Sequence, residues 1–169
     1  MVNPASVPDS YGEWFELINV SIDQIDLNGW IIKDSQDNQH IIDNSENSLW
    51  ILPGEYLVLT RNDNSASNGG VVGDYTYSGI SLSNSEDAIT LINHQGAIVD
   101  QVEYNSDWPF SSGVSMELHD VLSQNNDIVN WFSAFRSYGD GDLGTPGLSY
   151  NDTLNIYSYE KIPERFNLS

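Results

Sequence analysis

The feature that most limits what this chain can become is its rhythm. Short β-patterned runs are each closed by a turn signal within about 8–12 residues, and nowhere do apolar residues recur every ~3.6 positions. Glu13 to Asn19 alternates, with Phe15 and Leu17 on one face and Trp14, Glu16 and Ile18 on the other, which predicts a strand covered at least partly on both sides. After the polar stretch Ser21 to Gln24, Asn28-Gly29 marks a tight turn, because both residues tolerate positive φ. Trp30 and Ile32 then face together, with Ile31 and Lys33 opposite.

The rest of the chain repeats this grammar. Residues 1–12 read as an extended entry loop, and His40-Ile41-Ile42 and Leu49 to Leu52 as short strands. Pro53-Gly54 is a turn dipeptide, and Glu55 to Arg61, nearly all apolar in its middle, predicts a central strand. Asn62 to Gly70 reads as a surface loop, and Tyr75 and Tyr77 as a short edge strand. Ala88 to Ile92 and Ala97 to Tyr104, joined by Asn93-His94-Gln95-Gly96, form the clearest hairpin, with Ile89, Leu91, Ile98, Val102 and Tyr104 expected to face the core. Gly113 to Leu118 supplies a last strand, Asn130 to Ser133 a helical turn or anchoring loop, and Gly139 to Gly147 carries too many glycines for a regular element. The expectation is an all-β sandwich. Trp14 and Trp30 are its anchors, each burying ~150–250 Å² and contributing at most roughly 4–6 kcal/mol.

Composition narrows the function classes. The 169 residues suit one domain with one core, and the chain carries 5 Lys+Arg against 25 Asp+Glu, a net charge of −20. Nucleic-acid affinity comes largely from Lys and Arg displacing counterions, so a nucleic-acid partner is not expected. An acidic surface suits cations, salt water or a basic partner. With no cysteine there is no disulfide, thiol nucleophile or thiolate metal site. No apolar run approaches the roughly 18 residues that would span a bilayer. Met1-Val2-Asn3-Pro4-Ala5 lacks the charged and apolar regions of an export signal, so such a signal is expected to lie outside this sequence.

Several motifs in order resemble the lamin tail domain. They are Gly12-Glu13-Trp14-Phe15-Glu16-Leu17-Ile18-Asn19, Asp26-Leu27-Asn28-Gly29-Trp30, Pro53-Gly54-Glu55-Tyr56-Leu57-Val58-Leu59, Ser112 to Leu118, Asn130-Trp131 and Gly144-Thr145-Pro146-Gly147. The resemblance covers about residues 3–148 and is closest to the form found in bacterial secreted proteins. It implies an immunoglobulin-like β-sandwich serving as an interaction module rather than a catalyst, over a domain at 1–148. Family members open with a strand of the type Ile-Asn-Glu-Ile, which here would precede Met1. Without it one sheet edge is left unpaired, so the expected state is a monomer or a weak edge-strand dimer. Lys161 to Ser169 resembles the lead-in to the C-terminal sorting domain of type IX secretion, which makes 149–169 a linker toward a missing sorting segment. That resemblance implies an extracellular or cell-surface location.

Candidate chemistry is thin. His40, His94 and His119 fall on different elements at no metal-ligand spacing. Ser115, in Gly-Val-Ser-Met-Glu, fails the Gly-x-Ser-x-Gly pattern. Nothing in the spacing of Glu13, Glu16 and Glu117 sets two carboxylates across a cleft as in glycosidases. Glu16 instead reads as partly buried and hydrogen-bonded, with Arg61 or Arg136 the available cations. Asp140 and Asp142, with Asp34 and Asp37 as a second choice, offer the closely spaced oxygens that Ca²⁺ prefers, though Asx residues are also ordinary turn formers. No other cofactor is expected. Trp50, Trp108, Phe110 and Tyr75 are candidate exposed aromatics for a protein or polysaccharide partner, the Trp108-Pro109-Phe110 loop being the best patch unless it folds in as a lid on the core. The expected function is a non-catalytic interaction or adhesion module of an exported bacterial surface protein. The alternative is a polysaccharide-binding accessory module of a secreted hydrolase.

Overall fold

A computed structural model describes residues 1–149 except residue 46; of the linker and sorting lead-in read over 149–169, all but residue 149 lie outside the described residues. A helical turn, α1 (Asp9–Gly12), replaces the end of the expected entry loop and leads into β1 (Trp14–Ile18). Then come β2 (Ile25–Asp26), β3 (Ile31–Lys33), β4 (Gln39–Ile41), β5 (Trp50–Ile51), β6 (Tyr56–Thr60) and β7 (Tyr75–Thr76). The hairpin strands β8 (Asp87–Ile92) and β9 (Ile98–Tyr104) precede β10 (Met116–Leu118), a 3-10 turn at Ile128–Asn130 and β11 (Trp131–Ser133).

The strands form a three-stranded sheet β1-β6-β7, a four-stranded sheet β4-β3-β8-β9 and two short pairs, β2-β5 and β10-β11. As the sequence predicts, β6 is central: β1 pairs with it antiparallel and β7 lies at the edge. The alternation of β1 and β6 divides their side chains between two clusters. Phe15, Leu17, Leu57 and Leu59 join Trp30, Ile32, Leu91, Tyr104 and Trp108 in the main core. Trp14 and Val58 meet Met1, Val71 and Tyr138 on the other face. Trp14 is 4% exposed and Trp30 8%, so both act as anchors, and the Trp14 indole donates to the Tyr138 hydroxyl at 2.9 Å.

The Asn28-Gly29 turn forms as read, with Gly29 at φ 80° and its N–H donating to Ile42. The hairpin forms too, but a bulge at Leu91/Ile92 breaks its alternation, and Ile98 is exposed instead of joining the core. Asn130 to Ser133 also departs from expectation: Trp131, Phe132 and Ser133 form a strand, ordered by pairing with Leu118, Glu117 and Met116. A Cβ on Gly70 would collide with the backbone of Gly139. This close crossing lets the glycine-rich stretch lie against the Asn62–Gly70 loop and carry Thr145 and Gly147 back over β1.

Candidate functional site

Among the described residues β1 pairs with one strand only. The register of β1 on β6, extended by Arg61 N–H donating to Glu13 and Asn19 N–H to Glu55, directs the peptide groups of odd-numbered residues to β6. In an antiparallel ladder the alternate residues then point their N–H and C=O outward. Trp14 spends both of its groups on Met1. Glu16 and Ile18 have no backbone partner among the described residues. The same parity holds in β10, where Ser115 and His119 bond across to Ala134 and Asn130, so Met116 and Leu118 present their groups away from β11.

These two unpaired edges border one groove of about 600 Å³. Its lining includes Phe15, Leu17, Trp30, Ile89, Val102 and Met116, residues that belong to or pack on the main core. The indole N–H of Trp30, on that lining, has no acceptor among the described residues.

Two carboxylates share the groove. Glu16 accepts from Gly147 N–H at 2.8 Å, and Glu117 accepts from the Thr145 hydroxyl at 2.8 Å. Burial pushes Glu16 up to about 7; the Gly147 N–H and the Met1 ammonium pull against the rise, and Glu117 adds to it. Burial likewise raises Glu117, opposed by Thr145 and by the charges of Arg136 and Met1. The Met1 amine is lowered to about 5 by its own burial, against the attraction of Glu16, Glu13 and Glu117. The spacing of Glu16 and Glu117 gave no hint that the fold sets both in one groove. Nor does Arg61 serve Glu16: it pairs with the buried Glu13 at 3.2 Å, where Leu82 N–H also donates.

The candidate aromatics scatter. Trp108 is not exposed: at 7% exposure it sits in the main core with its ring 5.8 Å from that of Trp131. Turn bonds from Trp108 N–H to Asn105 and from Phe110 N–H to Trp108 curl this loop inward, and Phe110 packs edge-on against Tyr104 at 5.4 Å. The Tyr75 hydroxyl bonds with His40 and accepts from Asp43 N–H, tying that loop to β7. Only Trp50 of the four is an exposed aromatic, at 49%.

The acidic loops are held by hydrogen bonds to their own carboxylates. Asp142 is buried, and its carboxylate accepts from Ala5 N–H, Ser6 N–H and the Ser6 hydroxyl. Asp34 accepts from Gln36 N–H, Asn38 N–H and the Asn38 amide. Both carboxylates therefore already serve as acceptors that fix the backbone around them. Asp37 is paired with Lys33 at 2.6 Å, and Asp140 lies exposed beside the buried Asp142. Among the described residues no three His, Cys, Asp or Glu gather as metal ligands. His119 stacks on Phe132 at 4.5 Å, and the Ser115 hydroxyl donates to Leu143. Neither arrangement places a base beside a nucleophile.

No helix among the described residues is long and apolar enough to cross a membrane. A comparison with curated proteins returns no match. The sequence profile of the family described as Lamin Tail Domain matches residues 1–106, the stretch that supplies β1 to β9. The all-β architecture agrees with the immunoglobulin-like fold of that family, and the chain belongs to the lamin tail domain family.

Proposed function

We propose that this protein is a non-catalytic interaction module of an exported bacterial surface protein, with the open edge of its sandwich as the recognition surface. The observation that carries this reading is the groove itself, apolar in its floor and bordered by two strands whose outward peptide groups have no backbone partner among the described residues. Apolar surface gains about 25 cal/mol per Å² when covered, and unpaired strand edges template further pairing, so such a groove is a binding feature by its chemistry. Export and a surface location rest on the likeness of Lys161 to Ser169 to a sorting lead-in, together with the cysteine-free, strongly acidic composition. That acidity also argues against nucleic acid as the partner.

The test is selection of a displayed random-peptide library on the intact chain, with hits re-measured on Val99→Arg and Leu122→Arg. Both residues line the groove and are more than half exposed, so their substitution blocks it without disturbing the core. Binders weakened by both variants support the reading. Binders indifferent to them, or hydrolysis of a peptide, ester or glycan by this chain alone, would overturn it. A polysaccharide-binding role has one observation in its favour, the exposed ring of Trp50; it requires glycan binding that is lost in Trp50→Ala.

A further inference from the structure

A second opening, which shares no lining residue with the groove, lies where the β8-β9 hairpin begins and ends. Asp87 of β8 stands opposite Tyr104 of β9, so Glu86 and Asn105 continue just past the paired rungs and Glu103 lies one rung inside. Asn126 accepts from Glu103 N–H at 2.7 Å, which ties its loop to the hairpin. Asp87 accepts from Ser35 N–H, the Ser35 hydroxyl and Ser83 N–H, and is thereby spent on holding the backbone. Together these elements enclose a cleft of about 670 Å³ with Trp108 in its lining, a volume within the range of ~300–1,000 Å³ usual for small-molecule sites.

The cleft offers both acceptors and donors. Glu86 and Glu103 are exposed, neither carboxylate has a hydrogen bond or ion pair among the described residues, and no Lys or Arg lines the cleft. The side-chain oxygens of Asn105 and Asn126 are taken by Asp107 N–H and Glu103 N–H, which leaves each amide nitrogen to donate. Trp108 adds a donor from the core. It is only 7% exposed, and its indole N–H has no acceptor among the described residues. Yet the unpartnered groups sealed from solvent are the Trp30 indole and the Thr60 and Tyr77 hydroxyls, not the Trp108 indole. Its N–H therefore sits at an opening, and the opening that Trp108 lines is this cleft. Its neighbour Trp131 differs, with an indole N–H that donates to Asn125 at 2.7 Å.

A buried donor without an acceptor costs free energy until something accepts from it. A bare cation would answer the carboxylates and set a positive charge against the N–H groups. An anion would answer the N–H groups and meet two carboxylates. A hydroxyl both donates and accepts, and a ring bearing several holds them at fixed spacing. We infer that this cleft binds an uncharged sugar unit, with the Trp108 indole N–H donating to one hydroxyl and the Glu86 and Glu103 carboxylates accepting from others. The site does not depend on the groove of the module reading, and it is separate from the exposed ring of Trp50.

The probes are the methyl glycosides of the common neutral hexoses, each titrated at millimolar concentration into the full chain while the tryptophan indole N–H signals are followed by NMR. The Trp108 signal is the one missing from Trp108→Phe, which keeps a ring in the core and removes the donor. At least one glycoside is expected to move that signal, and Trp108→Phe should bind it about tenfold more weakly, the equivalent of one hydrogen bond. Glu86→Ala/Glu103→Ala should cost about tenfold or more, because hydrogen bonds to charged groups are the stronger kind. Both positions are exposed, so this variant keeps the test in force if Trp108→Phe fails to fold. Val99→Arg and Trp50→Ala should leave sugar binding unchanged, which separates failure here from failure of the groove reading. The inference is overturned if no glycoside moves the Trp108 signal, or if binding survives both cleft variants. Loss of binding in Val99→Arg or Trp50→Ala overturns it as well, by placing the sugar elsewhere. So does a Trp108 signal that methylammonium, acetate or glycine moves as strongly as any sugar.

Discussion

Glu13 and Glu16 lie three positions apart at the start of β1 and burial pushes the pKa of both upward, yet they end in different surroundings. At the Glu13 corner, Arg61 forms an ion pair, Leu82 donates its amide and the Ser81 hydroxyl approaches, so the buried charge is answered from several sides. At the Glu16 edge a half-buried carboxylate holds one amide, a second carboxylate lies nearby, and the adjoining peptide groups have no backbone partner among the described residues. One end of β1 is finished as a folded interior; the other is an interior left open. The difference teaches that a carboxylate's position on a strand matters less than what the neighbouring elements bring to it: Arg61 and Leu82 reach Glu13, while Gly147 alone donates to Glu16 among the described residues.

That contrast can be broken in several ways, beginning with the largest effect. Trp108→Ala should destabilise the fold by about 3–5 kcal/mol in urea unfolding, because the ring fills the main core. Peptide binding by the fraction still folded should be unchanged. A stable variant that loses ligand binding would return this tryptophan to the surface. Arg61→Ala should lower stability by about 3 kcal/mol, since it strands Glu13, whose side chain is 0% exposed, without its cation.

Glu16→Gln should do the reverse. The folded-state pKa of Glu16 is raised from 4.5 to about 7, so the folded state binds the extra proton and ionisation opposes folding. Its penalty is absent below about pH 4.5, grows as pH rises and is complete above about 7. The Met1 amine, lowered from 8.0 to about 5, runs the other way, with a penalty below 5 that disappears above 8. Comparing Glu16→Gln with the parent at each pH separates the two. The expected gain is roughly 2 kcal/mol at pH 8 and nothing at pH 4. Equal losses from Arg61→Ala and Glu16→Gln at pH 8 would erase the distinction between the two ends of β1. The smallest effect concerns the acidic loops: millimolar Ca²⁺ or a chelator should leave Tm unchanged, because N–H donors already occupy Asp142 and Asp34. A rise in Tm with Ca²⁺ would show that those loops rearrange to take the ion.

Legibility in the sequence followed the range of the interactions. The β1 alternation, the Asn28-Gly29 turn and the β8-β9 hairpin are local patterns, and they could be read directly. β11 could not, because three residues become a strand only by pairing with β10, which lies more than ten positions earlier. The direction of Trp108 was hidden for a similar reason: a turn sets it, and its neighbour Trp131 is distant in sequence. Asp142 has the composition of a calcium loop, yet it is claimed by Ala5 and Ser6 from the far end of the chain. The motif order identified the family, but the meeting of Glu16 with Glu117 needs both sheets in place.

Amide hydrogen exchange on the free, full-length chain at low concentration tests the central claim most directly. An open edge requires the amides of Glu16 and Ile18 to exchange quickly while those of Phe15 and Leu17, bonded to β6, stay protected. Uniform protection of all four amides in the free protein would mean that the edge is already covered, and would contradict the account.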